Sequence, residues 1–201
     1  MAIPVSACPN VTTCISSSWN ANWPEPLEIR TPRLILRTAE PDDLEAIHAV
    51  LSDPRATRWW STPPHETLDQ SRDWLDAMIA NGPDHPDFVV EWNGRVIGKA
   101  GFYVMPDVGY ILHPDVWGQG LAGEAVGAVI DHVFSTLEVE TLTADVDPEN
   151  AASIRLLQRL GFVRTGSGER TWNVGGVWKD SLFYALSRAD RAMKLAGQAP
   201  A

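Results

Sequence analysis

Apolar residues recur along the chain with two periods, and the switches between them mark off its elements. Leu34, Ile35 and Leu36 form a short β-run within residues 27–37. Thr38 or Glu40, followed by Pro41, offers a helix start, and Leu44, Ile47, Val50 and Leu51 then fall on one helical face, with His48 beside it as a surface or packing residue. Pro54 ends that helix. A second amphipathic helix is expected over residues 66–79 through Leu68, Trp74, Leu75 and Met78, closing at Asn81, Gly82 and Pro83. Residues 88–92 and 96–104 read as strands, and Asn93-Gly94 between them signals a tight hairpin, so this pair is antiparallel. A strand over 108–112 pairs back across the turn at Met105, Pro106 and Asp107. A glycine-led helix links it to a strand over 141–146, and a helical crossover makes those two strands parallel. Residues 147–150 lead into a further helix. Strands over 162–166, or on to 172, and over 177–186 close a last hairpin around Gly175-Gly176, and the run past Ala189 is a short helix-prone tail.

This succession predicts an α/β (α+β) fold: a mixed, mostly antiparallel central sheet with one parallel strand pair, flanked by about four helices. A chain of 201 residues with 44% hydrophobic content is long enough for one well-buried domain and short for two. That domain is placed at 27–190, between an irregular extension over 1–26, in which Trp19 and Trp23 argue for partial docking, and a tail over 191–201. The formal charge of −10 disfavours nucleic acid and favours a cationic acceptor such as an amine, although acidity also serves solubility alone. Cys8 and Cys14 are separated by a spacer that fits no common metal pattern, and no metal set is expected. No apolar run approaches the roughly 20 residues of a membrane span, and the first basic residue is Arg30, which fits neither a secretory nor an Arg-rich transit leader. A cytoplasmic protein, monomer or homodimer, is the expectation.

Chemistry concentrates where the strand over 108–112 turns the polar corner His113, Pro114, Asp115 into Gly118, Gly120 and Gly123 at the head of a helix. Glycines allow close backbone approach, and the unpaired N–H groups of a first helical turn point at whatever sits there, which suits a phosphate. Residues 118–123 also satisfy the dinucleotide pattern G-x-G-x-x-G. In that fold the first glycine follows its strand almost directly and the unit usually opens the domain, whereas here residues 113–117 intervene and the unit lies mid-chain.

The segment W-G-Q-G-L-A-G-E-A (117–125) resembles the acetyl-coenzyme A pyrophosphate loop of the GNAT acyltransferases, and more narrowly that of the RimJ/RimL-like branch. N-A-A-S-I-R-L-L-Q-R-L-G-F (150–162) is similar to the branch's second cofactor motif, and R-T-P-R-L-I-L-R (30–37) to its first strand. The resemblance spans about residues 27–187. It implies that the parallel strands splay apart and hold the pantetheine arm, that acetyl-CoA is the cofactor, and that acetyl passes to a primary amine by direct attack, with no cysteine relay. A peptide N-terminus is the first acceptor implied, with polyamines, amino acids and drug amines close behind. An α-amino group, with a pKa near 7.7–8.0, demands less deprotonation than a lysine near 10.4.

On that reading Trp117, Gly118, Gln119, Gly120, Leu121, Ala122 and Gly123 cradle the pyrophosphate, with Ile111, Leu112, Asn150, Ser153 and Arg155 completing the cofactor site. A free N–H at Leu112 is the oxyanion donor. Asn150 serves the pantetheine, the helix cap, or both, and Arg155 and Arg159 either reach a ribose phosphate or form a solvated face. Many relatives carry a Tyr as acid four residues before the Gly-Phe pair, where this chain has Leu157; Ser153, one turn earlier, takes that role or a cofactor contact. Glu91, Asp107, Tyr110, His113 and Asp145 remain open as the base. The acceptor would meet Trp59, Trp60, His65, Tyr110 and Trp178, although Trp59 or Trp60 could equally staple its loop to the core. Leu157 also keeps alive a non-catalytic CoA-binding module, and the glycine pattern a nicotinamide enzyme.

Overall fold

The computed structural model describes residues 27–81 and 86–197. The extension over 1–26 with both cysteines, Trp19 and Trp23, the turn residues Gly82 and Pro83, and the last four residues of the tail lie outside the described residues.

Eight strands form one sheet: β1 (Glu28–Arg30), β2 (Leu34–Arg37), β3 (Asp87–Trp92), β4 (Arg95–Val104), β5 (Asp107–Leu112), β6 (Thr141–Val146), β7 (Val163–Val174) and β8 (Val177–Ser187), in the order β1-β2-β3-β4-β5-β6-β8-β7. Every neighbouring pair is antiparallel except β5 and β6. The β3–β4 turn places both Asn93 (φ +52°) and Gly94 (φ +72°) in the left-handed region, as a two-residue hairpin requires.

Helices α1 (Leu44–Leu51) and α2 (Leu68–Ile79) cover one face of the sheet, where Ile47, Val50, Leu51, Leu75 and Met78 pack on Val89 and Ile111. Helices α3 (Leu121–Thr136) and α4 (Ala151–Leu160) cover the other, against Leu34, Phe88, Ala100, Phe102, Leu142 and Leu186. The α1 segment opens where Glu40 and Asp43 form a capping box around Pro41. Helix α2 starts two residues later than the apolar pattern suggests, because Thr67 and Gln70 make a capping box there. Its buried face therefore runs through Ser71, Leu75 and Met78, and Leu68 is left exposed.

A fifth helix, α5 (Arg188–Ala196), forms where the tail is helix-prone and crosses residue 190. Its first residue is anchored by Arg188, whose guanidinium donates to the carbonyls of Phe134, Leu137 and Val139 at the end of α3. Buried Arg191 then makes a two-pronged contact with Asp131 of α3, at 2.7 and 2.9 Å, and donates to the Leu160 carbonyl at 3.3 Å. No described helix is long and apolar enough to cross a membrane.

Replacing Arg191 removes three hydrogen bonds but leaves Asp131, 43% exposed, free to regain water. The Arg191→Ala variant is expected to lose about 1–2 kcal/mol of stability in a urea titration; an unchanged midpoint would show that the Arg191–Asp131 contact adds nothing to the domain.

Candidate active site

The parallel pair meets at a single position, Asp107 opposite Thr143, where the Thr143 N–H donates to the Pro106 carbonyl at 2.9 Å. Beyond it β5 and β6 part. Successive N–H groups of a strand point to opposite edges. His113 donates to Ile97 of β4 at 2.8 Å, so the N–H of Leu112 faces the other way, into the gap. A bulge on β4 bends the sheet here: Val90 pairs with Gly98 and Glu91 with Val96, leaving Ile97 extra. Gly98 has φ +149°, and a Cβ there would collide with the Ile111 carbonyl oxygen, so only glycine lets β5 lie this close.

The gap opens into a cavity of about 760 Å³ between β5, β6, the glycine turn and the start of α4. Ile111, Leu112, Trp117, Gly118, Gly120, Leu121, Ala122, Gly123, Asn150, Ser153 and Arg155 all line it. Gly118 (φ +76°) and Gly120 (φ +77°) are both left-handed, and a Cβ on Gly118 or Gly123 would meet nothing within 4 Å. The loop backbone is therefore open to a guest, and the N–H groups of the first α3 turn lack intrahelical acceptors. Arg155 and Arg159 line the same cavity. An arrangement of free amides, open space and guanidinium groups fits a diphosphate. Gln119 is the exception: it lies outside the cavity lining, and its carbonyl accepts from Arg33 at 2.8 Å.

Two contacts fix the turn. The Trp117 indole donates to the Leu112 carbonyl at 2.8 Å, tying the corner to the strand end. On the outside, Glu124 accepts from the Thr31 hydroxyl (2.6 Å), the Arg33 N–H (2.9 Å) and the Arg33 guanidinium (2.6 Å). Burial tends to raise the Glu124 pKa, and the hydrogen bonds from Thr31 and Arg33 outweigh it, so the carboxylate is held below its ordinary range. Neither Thr31 nor Glu124 stands out as functional in the sequence; the signal is only that both lie inside the motifs that carry the resemblance.

Of the five residues open as a base, Tyr110 and Asp145 line the cavity. Burial pushes the Tyr110 phenol up to about 12, against smaller opposing effects of Ser153 and Arg159, so its hydroxyl is protonated at neutral pH. Its hydroxyl is buried with no partner in hydrogen-bond geometry among the described residues, although Ser153 lies close enough to act on it. Asp145 is oriented by the Trp172 indole, which donates to its Oδ2 at 2.6 Å. Asp107 accepts from the Thr143 hydroxyl, and the His113 ring accepts from the Asp115 N–H at 3.3 Å. Glu91 does not reach the site: it sits two strands away on β3, 3.4 Å from Arg37, which is also paired with Asp43. Asn150 caps α4 by accepting from the Ser153 N–H at 3.1 Å, and it also borders the cavity.

Trp59, Trp60 and Ala56 line the cavity from the α1–α2 loop. That loop reaches the β7–β8 turn, where a Cβ on Gly175 would lie 3.2 Å from Pro63. His65 is not part of the cavity lining. It is buried, donates its N–H to the Leu51 carbonyl at 2.9 Å, and places Nδ1 2.9 Å from the Ser71 hydroxyl, which His48 Nδ1 approaches to 2.8 Å from α1. Burial, with the neighbouring His48, lowers the His65 pKa. Trp178 is also outside the lining: it is half-exposed on β8 with the Arg170 guanidinium 5.3 Å from its ring centre. Trp172, which the strand pattern named only as a strand limit, is also outside the lining but bonds a residue that belongs to it, Asp145. A three-residue bulge between Gly168 and Trp172 re-aims it across β8 to Asp145.

A family profile described as "Acetyltransferase (GNAT) domain" matches residues 33–163. An uncharacterized N-acetyltransferase, p20, of Bacillus licheniformis is 33% identical over 172 residues, covering 81% of this chain and 97% of that one. The spermidine N(1)-acetyltransferase of Escherichia coli (strain K12) is 27% identical over 156 residues, covering 73% and 82%. Among solved structures, spermidine N-acetyltransferase from Vibrio cholerae in complex with CoA and spermine superposes with a TM-score of 0.69 at 22% identity, covering 81% of this chain and 99% of that one.

Removing the Glu124 carboxylate frees Arg33 and unseats the turn from outside the cavity. Glu124→Ala is expected to weaken binding of inorganic pyrophosphate at least about tenfold by calorimetry; unchanged affinity would mean that the clamp does not shape the cradle. A second outcome concerns pH. Burial depresses both His65 and His132 below the ordinary 6.5, so the unfolded chain binds those protons more readily. Stability should be complete above about pH 6.5 and fall as the pH drops below it, and His65→Asn should flatten that fall in urea midpoints taken between pH 7.5 and 5. A midpoint that rose on acidification would contradict the buried, neutral assignment.

Proposed function

The chain belongs to the GNAT acetyltransferase family, and from that premise we propose that it transfers acetyl from acetyl-CoA to a primary amine by direct attack in a ternary complex. The observation that carries the reading is that the turn's open amides and the unpaired edge of β5 border one cavity. The sheet is mostly antiparallel and its parallel pair touches once, which is not the doubly wound parallel sheet of nicotinamide enzymes. We place the chain in the RimJ/RimL-like branch on the three motifs at 30–37, 117–125 and 150–162. A peptide N-terminus or a small-molecule amine is the acceptor.

Bound acetyl-CoA supplies an acetyl thioester. The amides of the turn and Arg155 would hold its diphosphate end, and the gap between β5 and β6 would receive its reactive end. Leu112 presents its N–H into that gap as a donor to the carbonyl oxygen. Asp145, steadied by Trp172, takes a proton from the acceptor ammonium directly or through a water, leaving the nitrogen lone pair free to attack. A carbon–nitrogen bond forms, the carbon–sulfur bond breaks, the nitrogen gives up its second proton, and the departing sulfur receives one, so that one proton is released overall. Ser153 and Tyr110 are the hydroxyls on that side of the cavity. Leu157, at the position where many relatives carry the acid, is buried in the core. Tyr110 enters instead from β5, protonated and without a partner in hydrogen-bond geometry.

Tyr110→Phe and Ser153→Ala should each lower kcat about 10- to 100-fold and leave acetyl-CoA affinity within about threefold. If neither variant slows turnover, the donor assignment is wrong. Gly120→Trp places an indole in the cradle and should abolish acetyl-CoA binding in calorimetry with the fold intact by circular dichroism; retained binding would move the cofactor elsewhere.

A further inference from the structure

The acceptor end of the cavity does not look like a polycation site. Two cations of the protein already lie over Trp59, which lines the cavity: the Arg58 guanidinium 4.5 Å from the ring centre and the Lys179 Nζ at 5.7 Å. The neighbouring Trp60 has the buried Lys99 Nζ 5.8 Å from its own ring centre, and Lys99 is held by Asp87 at 2.6 Å. Arg58 is exposed and has no carboxylate within 4.0 Å among the described residues, and Lys179 meets only Asp147, at the outer limit of 4.0 Å. In a chain of net charge −10, two cations flank one aromatic wall of the site from just outside the cavity lining, whereas Asp145 and Asp147 do line it, so cations and carboxylates both stand at this end. Their elements also meet, since Pro63 of the Arg58 loop abuts Gly175 at the turn of the Lys179 hairpin. The carboxylates at this end are partly committed: Asp145 accepts from Trp172, and Asp147 Oδ1 accepts from the Glu149 N–H at 2.8 Å.

We propose that the acceptor carries an anionic group besides its amine, held by Arg58 and Lys179 over Trp59, and that polyamines are excluded. This rests on the acetyl-transfer reading and narrows its acceptor to amino acids, peptides or other amines bearing a carboxylate or phosphate. Asp145 takes the ammonium and the Arg58–Lys179 pair takes the anion, so a zwitterionic molecule finds both ends complemented. A second ammonium in place of the anion would sit against two like charges.

Calorimetry on the CoA-saturated protein tests this without turnover. The probes are dipeptides with a free carboxylate, the same dipeptides as carboxamides, and spermidine. The acids are expected to bind about tenfold more tightly than the amides and more tightly than spermidine. The difference should collapse in an Arg58→Gln/Lys179→Gln double variant and shrink in 1 M salt. Both residues are solvent-exposed enough for the variant to fold, which circular dichroism checks. Equal affinity for acid and amide, tightest binding of spermidine, no measurable affinity for any acid, or a preference that survives the double variant would each overturn the proposal. A preserved acid preference with no acetyl transfer to any amine would instead overturn the catalytic reading and leave the anion subsite standing.

Discussion

The separation of β5 from β6 is the constraint from which the rest of the molecule takes its shape. A paired strand spends its N–H and C=O groups on its neighbours, and a buried unpaired edge costs free energy unless water or a ligand satisfies it. Here one bridge, Asp107 to Thr143, joins the strands before they diverge, and the Leu112 N–H is left facing a cavity. The bulge at Ile97 and the glycine at 98 let β4 and β5 keep their contact while the sheet bends. Helices α3 and α4, which follow the diverging strands, bring their N-terminal ends to the opening.

A second constraint holds the glycine turn open. Glycines at 118 and 120 confer freedom as well as access, and a free loop loses entropy when it binds. The Trp117 indole on the Leu112 carbonyl and the Thr31–Arg33–Glu124 cluster fix the turn from its two sides. The cluster joins segments about ninety residues apart and so fastens the motif at 30–37 to the motif at 117–125. It also carries the cost of order in the folded apo protein, where the core of α3 can support it.

Elements with local causes were legible in the sequence. The Asn93-Gly94 hairpin, the crossover that makes β5 and β6 parallel, the Gly175-Gly176 turn and the apolar face of α1 each follow from a few adjacent residues. So did most of the cofactor side of the cavity, because a turn and a helix start are contiguous in the chain. What failed depends on pairing at a distance. Glu91 fits as a base only until Arg37 is seen as its neighbour, and His65 fits as an acceptor contact only until it is seen buried against Ser71. Trp172 was hidden because a three-residue bulge, with Arg170 at φ +53°, carries its side chain over an intervening strand. The apolar period could not place the start of α2, which a capping box decides. Nor did it give weight to Arg191, the buried cation that docks α5.

Charge is distributed against the average of the chain. An acidic protein keeps Arg155 and Arg159 at the cofactor end of the cavity and gathers Arg58 and Lys179 at the other. The cleft thus carries guanidinium groups in its lining at the cofactor end, and at the other end two carboxylates, Asp145 and Asp147, in the lining with two cations beside Trp59. The central claim is that main-chain N–H groups at the turn and at the end of β5 do the holding. Amide hydrogen exchange with and without acetyl-CoA tests it most directly: the account predicts new protection at residues 118–123 and at Leu112, whereas protection confined to other segments, or none, would contradict it.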